Sequence, residues 1–300
     1  MSTYDDLFTP QESGGQAAFR DQPFDKEAWA QQKKEQRELV YGMIDNAAIS
    51  VAGDGASFQK YLDVQSRFSR YSVSNALLIL AQRPDATVVK DFDSWKDQGL
   101  YIRKKEAGFY ILEPGDEYER DDGTTGISYN AKKVFDISQT GAIRRRETPV
   151  YPDERTRIKA LTDHSPVPIR ISDSLPEGVQ ALYQPDQRDI LVRRGMDASS
   201  IFRALAQELA HAEMDRGNGE YVRSEHGFHA YCASYMLCRQ YGVETGGFSF
   251  ERAPEMFESM SPQEVRNELS IIREATSEIS GRMEKTLNQQ RQQRREDHER

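Results

Sequence analysis

Residues 204–217, ALAQELAHAEMDRG, hold the combination of side chains most able to do chemistry. A helix carrying His-Glu-x-x-His sets two imidazoles one turn apart on one face. There they ligate a divalent metal, and the Glu stands beside the metal-bound water as general base. Glu208 and His211 occupy the base and second-ligand positions, but Gln207 stands where the first His would be. A carboxamide is neutral and a poor zinc ligand, so the helix is one donor short of the chemistry its pattern describes. Three of the five histidines, His211, His226 and His229, lie close along the chain, with Glu225 and Cys232 nearby. His229 and Cys232 are three apart and share a helix face. Two readings follow. Either His211, His229 and Cys232 or Glu225 form a rearranged zinc site, or His226 and His229 are polar residues at a helix start, His211 is a packed remnant and no cofactor is held.

These residues must be positioned by a chain whose composition sets bounds. Three hundred residues suffice for one large domain or two ordinary ones. With 37% hydrophobic residues, 14 Tyr and 13 Phe, the chain can build a core but leaves room for solvated helix and tails. No apolar run approaches the ~18 residues of a membrane span. The opening MSTYDDLFTPQESGGQ lacks the basic start and apolar stretch of a secretory leader. Cys232 and Cys238 sit nearly two helical turns apart, too far to pair on one helix, and read as reduced core thiols of a cytoplasmic protein. The net charge of −9 argues against a simple polyanion binder. The charge is uneven, however: residues 57–146 carry 15 Lys/Arg against 13 Asp/Glu, and the remainder carries 25 against 36.

The periodicity divides the chain. Residues 1–25 show no apolar pattern and are expected to be a disordered tail. Helices are expected over 26–49, with Trp29, Leu39, Met43 and Ile44 on its apolar side, and over 57–81, ended by Pro84. ATVVKDF, LYIRKKEAGFYILEPG (with KEAG as a hairpin turn) and GISYNAKKVFDISQT have the content of strands. RRRETPVYPDERT reads as a linker between two units. In the second unit a helix over 153–161 precedes short strands at VPIRIS and DILVRRG, with QPDQR as a hairpin turn. The motif helix follows over 199–215, then a helix over 225–241 capped by Gly242, then a long helix opened by the SPQE box at Ser261–Glu264. The fold class expected is α+β: an N-terminal α+β domain over 26–146, a mainly helical domain with a small sheet over 147–290, and a charged tail over 291–300.

Both units resemble one family. In residues 71–114 the order Ser72, Asn75, Gln82, Pro84, Ala86, Thr87, Trp95, Gly99, Lys104, Gly108 and Pro114, continued by VFDISQT, resembles the N-terminal domain of ArdC-like antirestriction proteins. These are carried by conjugative plasmids and integrative elements. The resemblance implies that residues 26–146 bind single-stranded DNA and that the role is antirestriction. The C-terminal unit is similar to the zincin-like peptidase domain that follows in the same proteins. In that family a Glu ligand lies early on the helix after the motif. Aligning that pattern with AYCASYMLC puts Tyr231 at its position. With two of three ligands changed, the resemblance implies a zincin-like domain that is no longer an enzyme, keeps Glu208 as a vestigial base, holds no cofactor and serves as a scaffold or protein-binding surface. The alternative is an active zinc metallopeptidase with a rearranged site.

Single-strand binding without sequence readout needs cations along the backbone path and aromatic faces for the bases. Arg67, Arg70 and Arg83 accompany the second helix, and Lys96, Arg103, Lys104 and Lys105 surround Trp95, Tyr101, Phe109 and Tyr110. The candidate contacts are Tyr71, Asn75, Trp95, Arg103, Lys104, Lys105 and Lys132. Against this, strand side chains alternate, so half of these aromatics must face inward, and Trp95 fits the core as well as it fits a stacking platform.

Overall fold

The computed structural model describes residues 25–120, 122–142 and 150–298. The N-terminal segment expected to be disordered and the first half of the expected linker lie outside them. The architecture is α+β. Helices α1 (Lys26–Gly53), α2 (Gly55–Arg67) and α3 (Val73–Gln82) open the chain. The sequence predicts a single helix where α2 and α3 stand. It breaks because Gln65, wholly buried, turns its amide into the gap and donates to the carbonyls of Phe68 and Tyr71 at 3.1 and 3.2 Å. Ser72 then restarts the helix as N-cap, accepting from Asn75 N.

Strand β1 (Val89–Lys90), helix α4 (Phe92–Asp97) and strands β2 (Phe109–Glu119) and β3 (Thr125–Asp136) follow. The strands form an antiparallel sheet in the order β1-β3-β2. This leaves β2 at an edge, with Tyr110 and Leu112 presenting backbone groups outward. Helix α3 closes that edge with side-chain amides two turns apart. Asn75 donates to Leu112 O at 2.8 Å and accepts from Leu112 N at 2.7 Å, and Gln82 does the same for Tyr110 at 2.9 and 2.8 Å. The hairpin expected at KEAG does not form, because the β2 edge is taken. Residues 100–107 lie instead along the turn after β3: Ile102 bridges Thr140, Arg103 N donates to Gln139 O, and the Gln139 amide donates to Ala107 O.

Beyond residue 150 come α5 (Glu154–Thr162), strands β4 (Ile169–Ser172), β5 (Ala181–Gln184) and β6 (Asp189–Arg193), then α6 (Ala198–Met214), α7 (Arg223–Tyr241), α8 (Ala253–Met256) and α9 (Pro262–His298). The second sheet is ordered β4-β6-β5, with β4 parallel and β5 antiparallel to β6. The caps are those the sequence predicts. Gly242 ends α7 at φ 68°, and Ser261 and Glu264 exchange hydrogen bonds at the start of α9. Helix α9 continues to His298, through the segment read as a charged tail.

Two cores form. One gathers α1–α3 and the β2–β3 sheet, the other α5, α6 and the second sheet. Helices α7 and α9 serve both. Cys232, Tyr235, Met236, Val265, Leu269 and Ile272 enter the first core, while Ala233, Leu237, Cys238, Ala275, Ile279 and Met283 enter the second. Residues after 150 therefore complete the core of the segment before 143.

Asn75→Leu keeps the volume but strips both partners from Leu112. An unpaired buried polar group costs ~1–3 kcal/mol, so the variant is expected to lose about 2–4 kcal/mol in urea unfolding. Unchanged stability would show that the amide clamp contributes nothing.

Candidate functional site

Helix α6 starts at the N-cap Asp197, which accepts from Ser200 N at 3.0 Å, and buries its apolar stripe in the second core. This orientation turns Glu208 and His211 inward, 4% and 1% exposed. Gln207 faces a cavity of about 370 Å³ whose wall also includes Arg203, Glu208, Arg223, Tyr231 and Phe248. Gln207 and Tyr231, the two positions that the sequence resemblance aligns with metal donors, thus share one cavity.

The carboxylate of Glu208 is fully engaged. Arg223, at the start of α7, donates to both of its oxygens at 2.7 Å, and Tyr183 N on β5 donates at 2.7 Å. A bidentate guanidinium plus a backbone N–H satisfies a buried carboxylate in the way a metal and its water otherwise would. Tyr183 N belongs to the outer strand of its sheet, so Glu208 also occupies part of that edge.

The His211 Nδ1 lies 2.5 Å from the Tyr221 hydroxyl. Burial, followed by the charge of Arg223, pushes the His211 pKa down to about 3, and burial raises the Tyr221 hydroxyl to about 12. At neutral pH, therefore, both groups are neutral, and the His211 tautomer sets which of them donates. The Tyr221 ring stacks on His226 at 5.2 Å. His229 turns away from α6 and pairs its Nε2 with Glu268 on α9 at 2.6 Å. Cys232 is wholly buried in the first core, and burial drives its thiol pKa up. Glu225 is exposed. The Tyr231 hydroxyl accepts from Ser249 N at 2.8 Å, and its ring packs on Phe248 and Phe250. Among the described residues, no three His, Cys, Asp or Glu side chains converge as a metal site. The expected grouping of His211 and His229 with Cys232 or Glu225 is not assembled, because α7 points His229 and Cys232 toward other partners. The donor set does not fit a zinc or manganese ion.

The expected nucleic-acid contacts also divide. Asn75 is buried, with both amide atoms spent on Leu112. Trp95 is 1% exposed and donates its indole N–H to Phe135 O. Lys132 sits between Asp91 and Glu113 at 2.9 Å from each. Tyr71 is half-buried against Phe68. Asn75 and Trp95 are thus committed inside the fold, the Lys132 charge is paired, and part of Tyr71 stays open. Arg103 is held by Glu106 and Ser138 O but remains exposed. Lys104 and Lys105 are exposed, and no partner is recorded for either among the described residues; Lys105 has φ 70°. Tyr101 stands beside them, 68% exposed. Sequence reasoning missed Arg223. The signal was available, since a buried Glu without a metal requires a cation, but nothing in a single sequence says which Arg supplies it.

No protein-family profile matches the chain. Its fold resembles that of ArdC, an antirestriction protein from the R388 plasmid: the crystal structure of the Mn(II)-bound form superposes with a TM-score of 0.51 at 15% identity, covering 81% of this chain and 97% of that one. The metal-free form gives a TM-score of 0.45 at 16% identity, over 72% and 84% of the two chains. In sequence, the chain is 22% identical over 297 residues to an uncharacterized protein of Bacillus anthracis, pXO2-81, covering 78% of this chain. It spans 49% of that relative's length. No helix among the described residues is long and apolar enough to cross a membrane.

Arg223→Met leaves Glu208 buried without its cation and is expected to cost about 3 kcal/mol in urea unfolding, the low end for a broken buried pair because Arg223 is part exposed. Adding Glu208→Gln should restore most of the loss. If Arg223→Met alone unfolds like the parent, the pair does not hold the site.

The His211 shift sets a pH dependence. A pKa depressed below the unfolded value of about 6.5 means that the unfolded chain binds the proton first. Stability is then complete above pH ~6.5 and falls as pH drops toward 3, with a slope of up to ~1.4 kcal/mol per pH unit. His211→Phe should flatten that slope between pH 5 and 6.5, and an identical slope would contradict the burial of a neutral imidazole.

Proposed function

We propose that this protein is a single-stranded-DNA-binding accessory protein of a conjugative or integrative mobile element, acting in antirestriction, with a zincin-like half that works without a metal. The observation that carries the DNA reading is the loop from Tyr101 to Lys105, where an exposed aromatic stands beside two exposed lysines without recorded partners. A tyrosine face for a base and cations for phosphates are the components of sequence-tolerant single-strand binding. The ArdC-like fold supports the biological role, since the protein that shares it is an antirestriction protein from the R388 plasmid.

The rival reading is a metallopeptidase. It needs a metal-bound water for a general base to activate. Glu208 is instead clamped by Arg223 and Tyr183 N, and neutral side chains, Gln207 and Tyr231, stand at the other positions. That the ArdC crystal structure holds Mn(II) is a property of that protein; here the half after residue 150 is read as a scaffold or a protein-binding surface.

The test is fluorescence anisotropy with a mixed-sequence oligonucleotide at ~50 mM salt, where phosphate contacts are strongest. The expected result is saturable single-strand binding, weakened about tenfold by K104E/K105E, with a shallower salt dependence. Absence of single-strand binding at low salt would remove this reading. In parallel, the purified protein should lack stoichiometric zinc or manganese, and excess metal should leave Tm unchanged. Stoichiometric metal that disappears in His211→Ala would favour the peptidase.

A further inference from the structure

A second basic feature lies away from the 101–105 loop. The turn between α2 and α3, the C-terminal end of α7 and the second half of α9 enclose a groove of about 620 Å³. Four arginines line it, Arg67, Arg70, Arg239 and Arg291, with the carboxylate of Glu284 in the wall and that of Asp63 bonded to Arg239 at 2.8 Å. In a chain of net charge −9 this is a strong local reversal. The arginines come from both halves of the sequence, and only the shared packing of α7 and α9 brings them together.

The groove has the other parts that a nucleic-acid strand needs. Tyr151 stands in its wall, 44% exposed, with its ring seated on Gly242, where a Cβ would come within 2.3 Å of it. A ring fixed on one side and open on another is a platform for a base. Gln240 is also in the wall. Arg70 is 90% exposed at its side chain and holds Glu284 only at 3.3 Å, a surface pair that a phosphate can replace.

Hydrogen bonds link the groove's Arg67 toward the 101–105 loop. Arg103 and Arg83 both bond Ser138, through its carbonyl at 2.6 Å and its hydroxyl at 3.2 Å. Arg67 bonds the carbonyls of Pro84 and Ala86, on the segment just after Arg83. Arg67 and Arg239 both line the groove, and Asp63, bonded to Arg239 Nε at 2.8 Å, acts on the charge of each. Arginines therefore run in series from Arg103 through Arg83 and Arg67 to Arg239 and the groove.

We infer that the groove between the α2–α3 turn and α7–α9 is a phosphate-binding segment of a single-stranded DNA path that begins at the 101–105 loop, so that both halves of the protein hold one strand. This rests on the single-strand reading above. Two features separate it from binding by the loop alone: the residues responsible lie partly beyond residue 150, and a carboxylate sits in the path.

The experiment is a salt titration of single-strand affinity for the full-length protein, R70A/R291A, K104E/K105E and E284Q, each first shown to keep the parent melting temperature. Loss of two phosphate contacts should reduce the slope of log K against log salt by about 1.4, at ~0.7 per contact, and weaken binding about tenfold near 0.1 M salt in R70A/R291A. E284Q removes the competing carboxylate and should tighten binding several-fold. If the parent binds and K104E/K105E weakens it while R70A/R291A and E284Q match the parent, the groove is not on the path and the loop alone binds. If the parent does not bind single strands, the DNA reading fails and the groove assignment falls with it.

Discussion

The constraint on which the rest of the structure depends is that two long helices are shared by two cores. Helix α9 runs 37 residues, about 55 Å at 1.5 Å per residue. Its stripe passes from Val265, Leu269 and Ile272 in the first core to Ala275, Ile279, Met283 and Leu287 in the second without interruption. Helix α7 does the same across its width, with Tyr235 and Met236 on one side and Ala233 and Leu237 on the other. A helix apolar around most of its circumference must be buried on most sides. The first core cannot close without residues that lie beyond 230, so the α1–α3 layer and the motif helix α6 are held in one frame rather than joined by a tether.

Inside that frame, the electrostatics of α6 follow from burial. A carboxylate removed from water needs a cation or several donors, and the cost of leaving it alone exceeds what packing can offset. A metal ion is one solution, and Arg223 with Tyr183 N is the one found here. Once the guanidinium is in place, a positive charge sits near His211. Together with burial it holds that imidazole neutral, and the Tyr221 hydroxyl completes it. The cavity beside them is walled by an amide, a phenol and two guanidiniums, which offer hydrogen bonds and charge.

What the sequence made legible is what local rules decide. The cap at Gly242 and the capping box at Ser261 and Glu264 stand where turn and helix chemistry put them. The motif helix lies within a residue of its expected bounds. The break between α2 and α3 was not legible, because the apolar pattern runs through it and the decision belongs to Gln65, whose amide binds two carbonyls only after the helices pack. Asn75 is the sharper case. In one dimension it is a polar residue four positions after Tyr71, which suits a DNA contact. In three dimensions it lies on the inner face of α3 and replaces a missing strand at the β2 edge. Lys132, likewise, is a cation whose charge two carboxylates have already taken. Type and spacing do not report whether a polar group is already spent.

The same limit applies to charge. The count over residues 57–146 is nearly balanced, and the rest of the chain is acidic, which argues against a polyanion partner. Charges act over about 8 Å at physiological salt, however, so a strand near the surface feels the arginines beside it and little of the acidic residues elsewhere. Arg239 and Arg291 belong to the acidic part of the sequence, yet they line the same groove as Arg67 and Arg70. Net charge averages over the whole chain what the shared helices concentrate in one place. A chain of negative net charge can therefore carry a basic track, provided its fold, rather than its composition, collects the cations.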